Sequence, residues 1–232
     1  MISGVTQMKT YHYILIIIGC VLQGLFIKVE HEEKFVAADI LKGSASLMFV
    51  LLGISAYNAN PSAFSKTIMI GLIFGMIGDI FLNLRFVIKE QAQKIFLVGI
   101  LFFLIGHIIY LSALIPLAQH VWIWACILVG ALAAGLLLRY IFTTMEVEKA
   151  FKIFGIFYLG AVFIMTSIAL GIAIFTPSER ATVYAIGAVL FTASDVILIF
   201  NTFSGVTKFS RRILNLSLYY IGQILIACSL FF

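Results

Sequence analysis

Long apolar runs alternate with short polar connections along the whole chain. A membrane-spanning helix needs about 20 mostly apolar residues, and eight stretches of this sequence meet that requirement. The turn-forming residues Pro61, Pro177 and Gly205 fall in the connections between them. The pattern therefore predicts spanning helices over residues 11–27, 35–56, 66–88, 95–116, 121–141, 150–175, 181–203 and 213–232.

Composition supports the same architecture. The 232 residues are 63% hydrophobic and only 11% charged, with a mean hydropathy of +1.16, whereas soluble domains carry about 25% charged residues. One aqueous fold cannot bury that much apolar surface, and no linker or low-complexity segment divides the chain. We therefore predict an all-α, polytopic membrane protein with eight transmembrane helices, forming a single transmembrane domain over residues 1–232.

Basic residues are distributed unequally between the two sides of the predicted bundle. Cytoplasmic loops are enriched in Lys and Arg. Loops 1, 3, 5 and 7 with their flanks hold eleven basic residues, whereas the termini and loops 2, 4 and 6 hold three. The prediction is an integral membrane protein, in the inner membrane if the host is bacterial, with both termini non-cytoplasmic. The net charge of +5 then reports topology and not a nucleic-acid partner.

The second half of the chain resembles the first when the two are aligned with a shift of 116 residues. Several pairs then fall into register without a gap: Asp79 with Asp195, Pro61-Ser62 with Pro177-Ser178, Gly71 with Gly187, Lys42 with Tyr158, and His107 with Gln223. We predict two parallel four-helix repeats, about 1–116 and 117–232, related by a pseudo-two-fold axis along the membrane normal. Chance alignment of apolar helices is the alternative, because identity is common in such a biased composition.

Polar side chains inside the predicted spans concentrate at one depth. An ionisable group in a span costs roughly 2.5 to 3.5 kcal/mol on insertion scales and usually faces the bundle interior. Six polar groups lie about 10 to 18 Å from the predicted cytoplasmic ends, at about 1.5 Å of rise per residue. They are Lys42, Asp79, His107, Tyr158, Asp195 and Gln223. Helical spacing adds Asn83, Tyr110 and Tyr219 to the same faces, which predicts one central cavity.

Structural interpretations of these residues stay open beside the functional one. A lone buried aspartate can be a satisfied structural carboxylate, and Lys42 could simply pair with an aspartate such as Asp39. The acidic stretch at residues 30–33 has the composition of a solvated loop and not of a metal site. Three basic residues at the cytoplasmic edge are most simply topology signals, although they could hold a lipid phosphate: Arg85, Arg211 and Arg212.

Six predicted spans carry polar motifs in a fixed order. These are Lys42 in span 2, G78-D79-I-F-L82 in span 3, G106-H107-I-I-Y110 in span 4, Tyr158 and Met165 in span 6, S194-D195-V-I-L198 followed by Phe203 in span 7, and Y219-Y220-I-G-Q223 in span 8. Their order and spacing resemble the lysoplasmalogenase (YhhN-like) family over nearly the whole chain. Asn83 departs from that pattern, which has an apolar residue there.

The resemblance implies a membrane hydrolase that cleaves the vinyl ether bond of lysoplasmalogens to a fatty aldehyde and a glycerophospho-base. A vinyl ether is hydrolysed by protonation of its β-carbon, and water captures the resulting oxocarbenium ion. Asp79 and Asp195 would provide the acid and the ionised partner, because burial and mutual repulsion let two carboxyls divide these roles; which is which stays open. Substrate binding would involve Lys42, Asn83, His107, Tyr110, Tyr158, Ser194, Tyr219, Tyr220 and Gln223.

No metal or organic cofactor is required by that chemistry, and the partners would be the lysophospholipid and membrane lipids. The main alternative is a proton-coupled or lipid transporter with a midplane Asp pair, although its expected Gly/Pro interruptions are not obvious here. An intramembrane aspartyl protease also uses two span aspartates. Members of that class carry a Gly-x-Gly-Asp motif at one aspartate. Here Met76-Ile77-Gly78 precedes Asp79 and Ser194 precedes Asp195, so neither aspartate has that motif.

Overall fold

The computed structural model describes residues 8–118 and 122–232. Within them the chain is helical, and eight helices are long and apolar enough to cross a membrane. They are α1 Thr10–His31, α2 Phe35–Ala59, α3 Ala63–Leu84, α4 Ala92–Leu114, α5 Trp122–Thr144, α6 Lys149–Phe175, α7 Glu179–Phe203 and α8 Phe209–Cys228. The all-α, eight-helix membrane architecture is confirmed; residue 121, the predicted start of span 5, lies outside the described residues.

Helix starts follow local capping chemistry as well as the apolar runs. The Ser62 side chain accepts a 3.0 Å hydrogen bond from the Ser65 backbone N–H at the start of α3. Ser178 caps α7 in the same way, by accepting from the Ala181 N–H at 3.1 Å. These caps begin α3 and α7 earlier than the apolar runs predict, and α3 ends at Leu84, before the predicted 88.

Helix α1 extends beyond its apolar stretch, which was predicted to end at residue 27. It continues to His31 and includes Glu30. The Glu30 carboxylate accepts two hydrogen bonds from the Arg212 guanidinium of α8, at 2.7 and 2.9 Å. The interpretation of residues 30–33 as a solvated loop is therefore wrong for Glu30, whose charge is matched across the bundle.

The helices pack in chain order within each half, α1 to α4 and α5 to α8. Between the halves, α4 packs on α6 and α8 packs on α2, two contacts that an exchange of the halves would interconvert. Close glycine contacts also recur: a Cβ on Gly106 would lie 3.3 Å from the Gly71 carbonyl oxygen, and one on Gly187 would lie 2.8 Å from the Gly222 carbonyl oxygen. These contacts agree with the parallel repeat, which stays a prediction.

Candidate active site

A cavity of about 90 Å³ lies where α3, α5 and α7 end and α6 and α8 begin. Most of its wall is apolar, from residues such as Phe103, Ile141 and Leu198. Its lining also includes six of the predicted site residues: Lys42, Asp79, Tyr158, Ser194, Asp195 and Tyr219. In the predicted topology this end of the bundle is the cytoplasmic one.

Asp79 on α3 is buried, with 2% of its surface exposed, and is surrounded by donors. The Lys42 Nζ of α2 lies 3.2 Å from its Oδ1. The Ser46 hydroxyl donates to its Oδ2 at 2.6 Å, and the Tyr219 hydroxyl of α8 donates to the same oxygen at 2.5 Å. A cation and two hydroxyl donors therefore converge on one carboxyl group.

Asp195 on α7 is also buried, with 5% of its surface exposed, but its side-chain hydrogen-bond donor is a neutral group. The Tyr158 hydroxyl of α6 donates to its Oδ2 at 2.5 Å. No Lys, Arg or His in the described part of the chain forms an ion pair with it. The two aspartates therefore line one cavity in different charge environments, one beside a cation and one without.

Three of the predicted residues lie behind the cavity wall instead of lining it. The Tyr110 hydroxyl donates to Gln223 Oε1 at 3.2 Å. His107 donates from Nδ1 to the Phe103 carbonyl oxygen at 2.7 Å, and its ring lies edge-on to Tyr158, with 5.6 Å between centroids. These side chains support the aromatic wall that presents Tyr158 and Tyr219 to the cavity.

Two other predicted residues face neighbouring helices. The Tyr220 hydroxyl lies 3.2 Å from Ser46 Oγ and donates to the Lys42 carbonyl oxygen at 3.2 Å, so it braces the Lys42 segment of α2. Asn83, with its amide oriented to satisfy both neighbours, donates to Glu30 Oε1 at 2.9 Å and accepts from the Asp39 N–H at 3.3 Å. Asn83 thus ties α3 to α1 and α2.

Four polar residues of the site were not singled out as site residues from the sequence. Ser46 follows Lys42 by one helical turn, a spacing that could have identified it. Asn215 donates from Nδ2 to the backbone oxygen and the hydroxyl of Ser194, both at 2.8 Å, but no motif or repeat partner marks it. Arg85 and Arg212 line the cavity; from the sequence, their position at a span end indicated topology first, with a contact to a lipid phosphate as the alternative.

The model of the YhhN family matches residues 40–230, which contain every residue that lines the cavity. This chain belongs to the YhhN family. Among curated relatives of this family member, "Lysoplasmalogenase TMEM86A" of Bos taurus is 30% identical over 188 residues, covering 79% of the chain and 72% of the relative. The Homo sapiens protein of the same name is 29% identical over 187 residues, with the same coverage. No solved structure shows significant similarity to the chain.

Proposed function

We propose that this chain is a membrane hydrolase that cleaves the vinyl ether bond of lysoplasmalogens. The main observation in favour is that Asp79 and Asp195 line one largely apolar cavity, one beside a cation and one without. The names of the bovine and human relatives support a lysoplasmalogenase activity in general. A multi-pass membrane protein with an apolar cavity also suits a lipid substrate.

Asp195 is the proton donor in this proposal. Burial without a cation favours the neutral form of a carboxyl group, and Tyr158 holds the group in place. The Asp195 carboxyl transfers its proton to the β-carbon of the vinyl ether, and the α-carbon and ether oxygen become an oxocarbenium ion. The buried Asp79 carboxylate stabilises that cation electrostatically.

Asp79 is the base in the second half of the reaction. Water adds to the oxocarbenium carbon and gives one proton to the Asp79 carboxylate. The addition product is a hemiacetal. The hemiacetal then collapses: protonated Asp79 returns its proton to the leaving ether oxygen, and the Asp195 carboxylate takes the hydroxyl proton. The products are a fatty aldehyde and a glycerophospho-base, and both aspartates recover their starting states.

Product analysis tests this proposal directly. Purified protein in detergent is incubated with a lysoplasmalogen, and the released aldehyde is identified by mass spectrometry. We expect Asp79→Asn and Asp195→Asn each to lower turnover by about 10²- to 10⁴-fold, the usual contribution of an acid or base. Asp39→Asn is the matched control, since Asp39 lies on α2 outside the cavity lining and should leave most of the activity.

Either aspartate variant retaining a near wild-type rate would remove that residue from the mechanism. Release of a fatty acid from an ester lysolipid, with no aldehyde from the vinyl ether, would reject the reaction itself. The transporter alternative has no specific observation in its favour, because each spanning helix is continuous over its described length.

A further inference from the structure

Arg85 lines the cavity and, unlike the other lining cations, forms no ion pair in the described part of the chain; the carboxylate of Glu30 acts on it only from a greater distance. Of the other lining cations, Lys42 pairs with Asp79 and Arg212 pairs with Glu30. No carboxylate in the described part of the chain forms an ion pair with Arg85, and its buried Nε has no hydrogen-bond partner there. A partly buried guanidinium that forms no ion pair in the described part of its own chain indicates a site for an external anion.

Aromatic packing holds the Arg85 side chain in a defined orientation. Its Cζ lies 4.0 Å from the centre of the Phe96 ring and 4.7 Å from that of Phe86. Stacking engages the faces of a guanidinium and leaves its N–H edges available for a bidentate contact with an oxyanion. Burial and the nearby Arg212 lower the pKa of Arg85 to about 10, so the group stays charged at neutral pH.

The position of Arg85 relative to the aspartates selects the type of anion. Arg85 follows the last residue of α3 and lies about 9 Å along the helix axis from Asp79, at 1.5 Å per residue. It is thus nearer the membrane surface, where lipid headgroups lie, while Asp79 and Asp195 are deeper. The glycerol of a lysophospholipid separates its phosphate from its chain linkage by a distance of the same order.

We propose that Arg85 binds the phosphate of a lysophospholipid headgroup and thereby positions the chain linkage against Asp79 and Asp195. This inference rests on the proposed function, because it takes the cavity as the lipid site. Arg212 adds positive potential, but two of its donors are occupied by Glu30. A lipid that lacks phosphate loses the contact with Arg85 and binds weakly even if its ether linkage is identical.

A binding experiment with saturated ether lipids separates phosphate recognition from catalysis, because a saturated ether has no vinyl group to protonate. The affinity of the detergent-purified chain is measured for an alkyl lysophospholipid, for the matching phosphate-free alkylglycerol, and for glycerophosphocholine without a chain. We expect the lysophospholipid to bind about 10- to 100-fold more tightly than the alkylglycerol, the usual contribution of hydrogen bonds between charged groups. Glycerophosphocholine alone should compete poorly.

Substitution of Arg85 should remove that preference. In Arg85→Met the affinities for the lysophospholipid and the alkylglycerol should lie within about threefold of each other. That difference in affinity is smaller than the one expected from a single hydrogen bond between charged groups. Arg85→Lys keeps the charge but cannot make the bidentate contact. It should retain part of the preference even if the Met variant is unstable. Arg211→Met removes a cation at the same end of the bundle but outside the cavity lining, and should keep the full preference.

Three outcomes would overturn the inference. They are an unchanged phosphate preference in Arg85→Met, an equal loss in Arg211→Met, and competition by glycerophosphocholine as strong as that by the lipid, which would indicate a soluble phosphate ligand. A chain that shows the Arg85-dependent preference but releases no aldehyde from lysoplasmalogen contradicts the proposed reaction only. A chain that releases aldehyde but shows no preference for phosphate contradicts this inference only.

Discussion

Asp79 and Asp195 occupy matching positions in the two predicted repeats, yet their neighbours differ in charge. Each aspartate is contacted by a residue of the second helix of its own half: Lys42 in the first and Tyr158 in the second. Lys42 and Tyr158 are also 116 residues apart, so they are equivalent under the same shift. One exchange of Lys for Tyr thus makes one aspartate part of an ion pair and leaves the other with a neutral partner.

In the proposed mechanism, this difference would let matching positions of the two predicted repeats supply two different catalytic groups. A symmetric cavity would give both carboxyls the same proton affinity, and neither role would be assigned. Here the first half adds a cation and the Ser46 hydroxyl, while Val162 stands where the second half would have a serine. The asymmetry therefore arises on α2 and α6, and also on α8, whose Tyr219 donates to Asp79 while Phe103 stands at the equivalent position of the first half.

Removing the cation should have the largest effect. Lys42→Met leaves Asp79 as a buried, unpaired charge, and breaking such a pair costs about 3 to 5 kcal/mol in the free energy of unfolding. Turnover should fall by at least about 100-fold, because burial without a cation favours the neutral form of Asp79, which can no longer act as the ionised partner of Asp195. Thermal unfolding in detergent and aldehyde release measure the two effects.

The double variant Lys42→Met/Asp79→Asn is the control for this prediction. Removing both charges should restore much of the stability, since no uncompensated ion remains, but it should not restore turnover. A Lys42→Met variant that unfolds at the wild-type temperature and turns over normally would mean that the ion pair does not define the Asp79 site.

The two tyrosines provide the next comparison. Tyr158 is the one side-chain donor to Asp195 among the described residues, whereas Tyr219 shares Asp79 with Ser46 and Lys42. Tyr158→Phe should lower kcat by about 10- to 100-fold, the usual effect of losing a hydrogen bond to an ionisable group. Tyr219→Phe should have a smaller effect, because two partners remain. Equal losses, measured as kcat with KM determined separately, would contradict the asymmetry.

The sequence alone predicted the eight helices and the shared depth of the polar groups, because apolar run length and helical rise determine both. It also named both aspartates and the lysine that pairs with one of them. It named six residues that line the cavity but did not separate them from the predicted residues that lie behind its wall. His107 and Gln223 lie at the predicted depth but behind the wall, because depth does not specify how each helix is rotated about its axis.

Other features depend on contacts between distant helices, which local patterns do not encode. Glu30 and Arg212 lie at opposite ends of the sequence and appear separately as loop and topology residues, yet they form a bidentate pair. Asn83 was expected in the pocket from its spacing to Asp79, but it donates to Glu30 of α1 and does not line the cavity. Such pairs become visible only once α1, α3 and α8 are packed together.

Cavity volume near the second aspartate should have a moderate effect on activity. Gly155 on α6 lines the cavity, and a Cβ there would meet nothing within 4 Å. Gly155→Leu should fill the space beside Tyr158 and raise KM by about tenfold, as expected for overpacking of a binding site. Gly160→Leu is the matched control, because Gly160 is also on α6, is also open, and lies outside the cavity lining. Similar KM values for the two variants would place the substrate elsewhere.

The smallest expected effects concern the matching helix starts of α3 and α7. Ser178→Ala removes one capping bond, to the Ala181 N–H, and should lower the free energy of unfolding by about 1 kcal/mol. Ser62→Ala should cost somewhat more, because Ser62 Oγ also lies 2.8 Å from Ser65 Oγ. Ser65 Oγ in turn accepts a hydrogen bond from the Ser62 backbone N–H. Position 181 is alanine, so the second half lacks this reciprocal contact. Thermal unfolding would measure both changes. A larger loss of stability in Ser178→Ala than in Ser62→Ala would contradict the extra contribution assigned to the reciprocal contact at Ser62.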